Sequence, residues 1–274
     1  MREFVYIAPS FTREESISAI LSIRLTTGGH CFSVRRDKEV LMLFAKDVVS
    51  SSDEEQMEHL YKSLEQHNLR SLSFSSVNIF HANGYKMLIP QSEVKAGREK
   101  IWLKTFGEPL SGDDIISSLV EPCDALLFSS QPSCFYELKG MGELGSIQNI
   151  AASFITNSIL SVPSKHRGHW IFVEYSRGVV DIVVTKGQKL LFYNCYNAKQ
   201  SEEVLFYVLQ VMKLHGLDDK PNAVFSGETM CGDDMIYATL RRYIPSFVLA
   251  ANVMLKEICS DSNIEAMSKF VHML

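Results

Sequence analysis

Residues 170–194, WIFVEYSRGVVDIVVTKGQKLLFYN, read as apolar strands separated by tight turns. The first turn is Ser176-Arg177-Gly178 and the second is Thr185-Lys186-Gly187-Gln188. Apolar and β-branched residues fill the segments between, and a glycine marks each reversal, which is a strand signature. A turn at the top of such a sheet is also where many proteins hold a phosphate, through backbone amides that glycine leaves uncovered. This stretch therefore bears on fold and chemistry together.

Moving outward, the same design occurs 150 residues earlier. LSIRLTTGGHCFSVRRDKEVLMLF (21–44) lies over 171–194 without a gap, and Gly28, Val34 and Leu41 match Gly178, Val184 and Leu191. Those identities are few. The pattern is stronger: apolar strand, glycine turn, second strand, charged turn, third apolar strand. DEEQMEHLYKSLEQHNL (53–69) then lies over SEEVLFYVLQVMKLHGL (201–217), two residues closer. Asp53 and Ser201 suit helix N-caps, and Glu54-Glu55 and Glu202-Glu203 place carboxylates at the positive end of the dipole. Each helix closes on His followed by Asn68 or Gly216, residues that tolerate the left-handed cap. The agreement in order points to a duplicated chain.

Beyond these copies the halves diverge. Asn83-Gly84 signals a hairpin, a helix is expected over about 92–105, a strand at CDALLFSS and a helix near 147–160. Ser111-Gly112-Asp113-Asp114 reads as a helix N-cap before IISSLV. The second half continues through a strand at NAVFSGE, a helix over DDMIYATLRRY, an apolar segment FVLAA and a helical tail from Asn252 to Leu274. EFVYIAP, at the start, reads as an added strand at a sheet edge. SVPSKHRGH (161–169) has a linker's composition, which divides the chain into a first domain, 1–162, and a second, 163–274.

Two copies of three strands and a helix, each with a glycine turn, resemble the plan of the actin-like ATPases. In actin, sugar kinases and heat-shock chaperones, two ribonuclease H-like halves clasp ATP. The chain as a whole resembles an uncharacterised bacterial family with an actin-like fold and no known activity. More distantly it is similar to the cytoplasmic actin-like proteins of pilus assembly and secretion. The likeness covers most of the chain and is weakest after about residue 250. It implies an α/β fold of duplicated ribonuclease H-like domains with a degenerate nucleotide site.

The degeneracy is legible loop by loop. The chaperone pattern D-x-G-x-G-x-x-D falls on Glu174, Tyr175, Ser176, Arg177, Gly178, Val179, Val180 and Asp181. The first phosphate loop, D-x-G-T/S-x, falls on Arg24, Leu25, Thr26, Thr27 and Gly28, with Gly29 following. The adenosine loop falls on Ser226, Gly227, Glu228 and Thr229. The resemblance implies an aspartate where Arg24 stands, holding magnesium-bound water for phosphoryl transfer. The exchange is a swing of two charges, each worth roughly 4 kcal/mol at about 4 Å and an effective dielectric of 20. Thr26 and Ser176 stand where the pattern has its middle glycine, and Glu228 adds negative charge. The expectation is no catalytic residue, no metal and no cofactor.

Two fates for the arginines are open. Arg24 and Arg177, facing each other across the cleft, could hold an anion through their planar donor forks. Alternatively they pair with Glu174, Asp181 or Glu228 and hold the two halves together.

Composition excludes other classes. The 274 residues carry a net charge of −5 with scattered Lys and Arg, which argues against a nucleic-acid surface. Lys165-His166-Arg167 is a short basic knot expected in a solvated loop, and His166-x-x-His169 lacks further ligands nearby. The first copy's opening strands lack the carboxylates of a two-metal nuclease. GMGELGS (140–146) follows no clear strand, so a dinucleotide site is not indicated, and Cys231 has no base placed to activate it. The six cysteines form no CxxC pair. No signal peptide or membrane-length apolar run is present, so a reducing cytoplasm is expected and direct membrane insertion is not. The expected function is a non-catalytic binding or scaffold module with protein partners or self-association. The alternative is an atypical nucleotide-binding or phosphotransfer enzyme of the actin-like superfamily, resting on Gly178, Asp181 and the Gly28-Gly29 turn.

Overall fold

The computed structural model describes residues 3–26, 28–48, 50, 52–82, 85–95, 97–104, 114–131, 133–176, 178–217, 221–231, 234–250 and 268–274. The chain opens with β1 (Glu3–Ile7), α1 (Arg13–Ser16), β2 (Ile20–Thr26), β3 (Gly29–Arg36), β4 (Glu39–Asp47) and α2 (Asp53–Gln66). It continues with β5 (Phe74–His81), β6 (Lys86–Pro90), α3 (Glu99–Lys104), β7 (Asp114–Val120), β8 (Ala125–Gln131), β9 (Gly142–Asn149) and α4 (Ile150–Ser161). Then come β10 (His169–Ser176), β11 (Gly178–Lys186), β12 (Lys189–Ala198), α5 (Ser201–Leu214) and β13 (Asn222–Gly227). The short pair β14 (Met230–Cys231) and β15 (Asp234–Met235), α6 (Ile236–Tyr243) and β16 (Phe247–Leu249) follow.

The first sheet has the order β1-β4-β3-β2-β5-β9 and the second β12-β11-β10-β13-β16. In each, three antiparallel strands are followed by a helix and a strand parallel to the first, β5 beside β2 and β13 beside β10. The correspondence reaches irregular details. The β3–β4 register slips between Val34 and Arg35, and the β11–β12 register slips between Val184 and Thr185, 150 residues on. Helix α2 ends on His67 before Asn68 at φ 57°, and α5 ends on His215 before Gly216 at φ 59°. A third sheet, β6-β8-β7, is antiparallel throughout.

Strands of the two main sheets are apolar on both faces because both faces are covered. Ile23, Leu25, Phe32, Val34 and Phe44 bury one face of the first sheet against Met57, Leu60 and Leu64 of α2. Ile171, Val173, Tyr175, Ile182 and Val184 bury one face of the second against Val204, Val208 and Val211 of α5 and Leu240 of α6. Helix α4 carries apolar residues around most of its circumference, which suits a helix enclosed by other elements. Its Phe154, Ile155 and Ile159 pack on Phe172 and Val183 of the second sheet and Leu127 of the third. Among the described residues no helix is long and apolar enough to cross a membrane.

EFVYI pairs with β4 at the sheet edge, as expected. Other expectations need correction. DIISSLV is strand β7, not a helix. Its isoleucines favour a pleated surface, and pairing with β8 buries Val120 and half-buries Ile115 and Ile116. The helix expected over 92–105 begins only at Glu99. The N-caps sit one residue earlier than read: Ser52 accepts the amide of Glu55, and in α5 Glu203 reaches back to the amides of Gln200 and Lys199. The tail expected as helix is turn over 268–274. Asn83-Gly84, Ser111 to Asp113 and the tail over 251–267 lie outside the described residues.

Candidate functional site

The β2–β3 turn, the end of β10 and the end of β13 lie close together because each follows or ends an inner strand of its sheet. Arg24 on β2 and Glu174 on β10 are equivalent positions in the 150-residue alignment, and they meet. The Arg24 Nη2 lies 2.6 Å from Glu174 Oε1 with both side chains buried. The same nitrogen donates to Ser176 Oγ at 2.5 Å, while Nη1 donates to the Lys269 carbonyl at 3.0 Å. Arg24 Nε finds no acceptor among the described residues.

Glu174 is held from its other side by His272, whose Nε2 lies 3.4 Å from Oε2 and 3.0 Å from Ser226 Oγ. The His272 Nδ1 faces Asn157 Nδ2 of α4 at 3.2 Å. Burial alone would push the Glu174 carboxyl up; Arg24 and the bonds from His272 and Ser226 together outweigh it and hold it at about 2. It is therefore a carboxylate fixed beside a guanidinium.

The first turn meets the third loop. Thr26 Oγ1 donates to Glu228 Oε1 at 2.9 Å, and Gln56 of α2 donates to the Thr26 carbonyl. Gly227, at φ 88°, lets the chain pass directly over β10: a Cβ there would stand 2.2 Å from the Tyr175 carbonyl oxygen and 2.8 Å from Glu174 Oε1. Glycine is required by contact with protein at this point. Arg24, Thr26, Gly28, Gly29, Glu228, Lys46, Asp47 and Lys269 line a small pocket with about 10 Å³ for the centre of a water molecule. That is room for about one water.

The C-terminal residues fill the space between these loops. Ser268 exchanges hydrogen bonds with Gly227, its carbonyl accepting from the Gly227 amide at 3.1 Å and its hydroxyl donating to the Gly227 carbonyl. Lys269 Nζ pairs with Asp47 at 2.6 Å. Phe270 is buried among Cys31, Val40, Leu43, Ala45, Phe80 and Ile150. The Cys31 thiol faces Met273 Sδ at 3.5 Å, and burial pushes it up to about 12, so it is no nucleophile here.

Asp181 is turned away from Arg24. It pairs with Lys86 of β6 at 2.7 Å, both side chains buried, and accepts from the hydroxyl of the half-buried Tyr193 at 2.8 Å. Burial pushes its carboxyl up, outweighing Lys86 and Tyr193. Gly178, at φ 86°, donates its amide to the Tyr175 hydroxyl and stands apart from the pocket. Thr27 and Arg177 lie outside the described residues, and the arrangement of facing arginines lies outside them as well. His166 accepts at Nδ1 from the Gly168 amide and the Trp170 indole. Among the described residues, no group of three or more His, Cys, Asp or Glu side chains converges to hold a metal ion.

Sequence reasoning brought together Arg24, Thr26, Glu174, Ser176, Ser226, Gly227 and Glu228, and pairing of Arg24 with Glu174 was one of its two readings. It missed Lys86 and His272. Lys86 is a lone cation at a strand start, and His272 sits in a stripe read as helix, so neither carried a local signal.

Residues 8–247 match the family model described as Protein of unknown function (DUF3822). A search of curated proteins finds no match. Among solved structures, the chain is similar to a Bacteroides thetaiotaomicron protein with an actin-like ATPase fold and unknown function. The identity is 16%, the TM-score 0.73, and 91% of this chain and 99% of that one are covered. It is also similar to the PilM-PilN type IV pilus biogenesis complex, at 8% identity and TM-score 0.60, covering 94% of this chain and 97% of that one. These likenesses establish the fold: mixed α/β sheets in the actin-like ATPase arrangement.

Proposed function

The chain belongs to the DUF3822 family, and from that premise we propose that it is a non-catalytic actin-like protein, a protein-binding or scaffold module that has lost magnesium–ATP chemistry. The observation that carries this reading is the buried Arg24–Glu174 pair. Resemblance calls for an acid at Arg24 to hold a metal's waters. A guanidinium locked to a carboxylate offers a cation nothing and presents a like charge. The residues do not fit a magnesium nucleotide in other respects. Glu228 is pinned to Thr26, the Gly227 backbone lies on Glu174, and Ser268 to Leu274 occupy the space between the loops. Small-molecule sites of this class have volumes of about 300–1,000 Å³. The pocket has room for a water.

The two halves are read as duplicated ribonuclease H-like domains, 1–162 and 163–274, with degenerate phosphate and adenosine loops. The matched register slips at Val34/Arg35 and Val184/Thr185 and the matched helix ends support descent from one ancestral half, because such irregularities are kept within families. A cytoplasmic setting suits the free Cys31, Cys123 and Cys195. A role with protein partners is drawn from fold analogy with a pilus biogenesis complex.

Calorimetric titration with MgATP tests the reading, with no binding heat up to millimolar nucleotide as the expected result. Micromolar binding would overturn it in favour of the nucleotide-binding alternative. Thermal denaturation tests the same point independently, since ligand at a hundred times its dissociation constant adds about 2.7 kcal/mol.

A further inference from the structure

Residues 268–274 are unlike the rest of the fold. They belong to no strand or helix and make no sheet pairing with either main sheet. Even so, Ser268, Phe270, His272 and Met273 are buried. Their partners form a continuous receptor. The Gly227 backbone takes Ser268, Asp47 takes the Lys269 ammonium and Arg24 takes the Lys269 carbonyl. An apolar socket including Cys31, Leu43 and Phe80 takes Phe270. Ser226, Glu174 and Asn157 surround His272. This is how a bound peptide is recognised: backbone bonds fix its path, an aromatic anchor fills a socket, and polar side chains read one position.

We infer that the cleft is a peptide-recognition site whose occupant is the chain's own residues 268–274, held by non-covalent contacts from which the segment detaches and to which it returns. The 17 residues 251–267 that join it to the β16 end reach at most about 60 Å when extended. The inference rests on the non-catalytic reading of the cleft, because a site that took nucleotide would have to expel this segment.

The test uses the full chain and a synthetic peptide of residues 268–274 with a fluorophore at its amino end. In the wild-type chain the tethered segment competes at an effective concentration on the order of millimolar. The Phe270→Ala/His272→Ala chain keeps the receptor and weakens its own occupant. Fluorescence anisotropy is expected to show peptide binding to that variant at least about tenfold tighter than to the wild type. A peptide carrying Phe270→Ala should bind about a hundredfold more weakly. A folded variant that ignores the wild-type peptide overturns the inference. If the variant does not fold, hydrogen exchange on the wild-type chain decides. Amides of 268–274 exchanging at least about tenfold faster than those of β2 and β10 support a segment that detaches by itself, and equal rates overturn it. The MgATP titration is scored separately, so failure here and failure of the non-catalytic reading are distinguishable.

Discussion

At the scale of single residues, the cleft turns on two positions that the alignment makes equivalent. Were Arg24 and Glu174 of the same charge, two equal charges would face each other and need a counter-ion between them. Opposite charges satisfy each other directly, so the pair needs no ligand. Buried pairs are costly to break and cheap to replace whole. Arg24→Ala should therefore lose about 3–5 kcal/mol in urea denaturation, and Arg24→Met/Glu174→Leu should recover most of it. A small loss in Arg24→Ala would mean the pair contributes little. The pH dependence follows from Glu174. Its folded value of about 2 lies below the ordinary 4.5, so its stabilisation is complete above 4.5 and fades as pH falls toward 2. The loss should be on the order of 3 kcal/mol. Asp181 works in the opposite sense, since burial raises its carboxyl and favours the folded state at low pH. Subtracting the double variant's acid titration from that of the wild type isolates the Glu174 slope.

At the scale of elements, glycines that share a positive φ serve different ends. Gly216 ends α5 at φ 59° with open space around its missing side chain, and Gly227 ends β13 at φ 88° against the Tyr175 carbonyl and the Glu174 carboxylate. Gly216→Ala should cost about 1 kcal/mol, the left-handed penalty alone. Gly227→Ala adds a collision and should lower the melting temperature several-fold more. Equal shifts would show that the turn over β10 can relax. The strands and helices of both copies were legible because glycine turns, acidic first turns and apolar runs agree at every step. DIISSLV was not, because an acidic, glycine-containing lead resembles a helix cap while its pairing partner β8 comes later in the chain. The caps at Ser52 and Gln200 were misplaced by one residue because several adjacent polar side chains could serve, and only backbone direction selects one. The Lys86–Asp181–Tyr193 cluster was invisible for a related reason: it joins β6 of the third sheet to the β11–β12 pair, with Lys86 and Asp181 95 residues apart in the chain.

At the scale of the whole molecule, what matters is how the two main sheets are fastened. Glu174 on the second sheet binds Arg24 on the first, Asp181 binds Lys86 on the third, and the last seven residues touch both main sheets. The C-terminal segment contributes apolar burial where the ion pairs contribute none. Phe270 sits wholly inside the core that covers the outer face of β3 and β4, while His272 reaches Glu174 and Ser226 on the second sheet. Loss of a buried phenylalanine costs about 3–5 kcal/mol in general, a large share of a domain's stability of about 5–15 kcal/mol. Removal of residues 268–274 also leaves Arg24 without one acceptor and Gly227 without its two bonds to Ser268. The expected outcome, in a Trp102→Phe background that leaves Trp170 of the second sheet as the one tryptophan, is a chain whose urea unfolding no longer coincides between tryptophan fluorescence and far-ultraviolet circular dichroism. Each sheet keeps its own helices, so each can persist when the fastening between them weakens. Coincident transitions with an unchanged midpoint would mean that the ion pairs alone couple the sheets, and that the tail lies in the cleft without holding it.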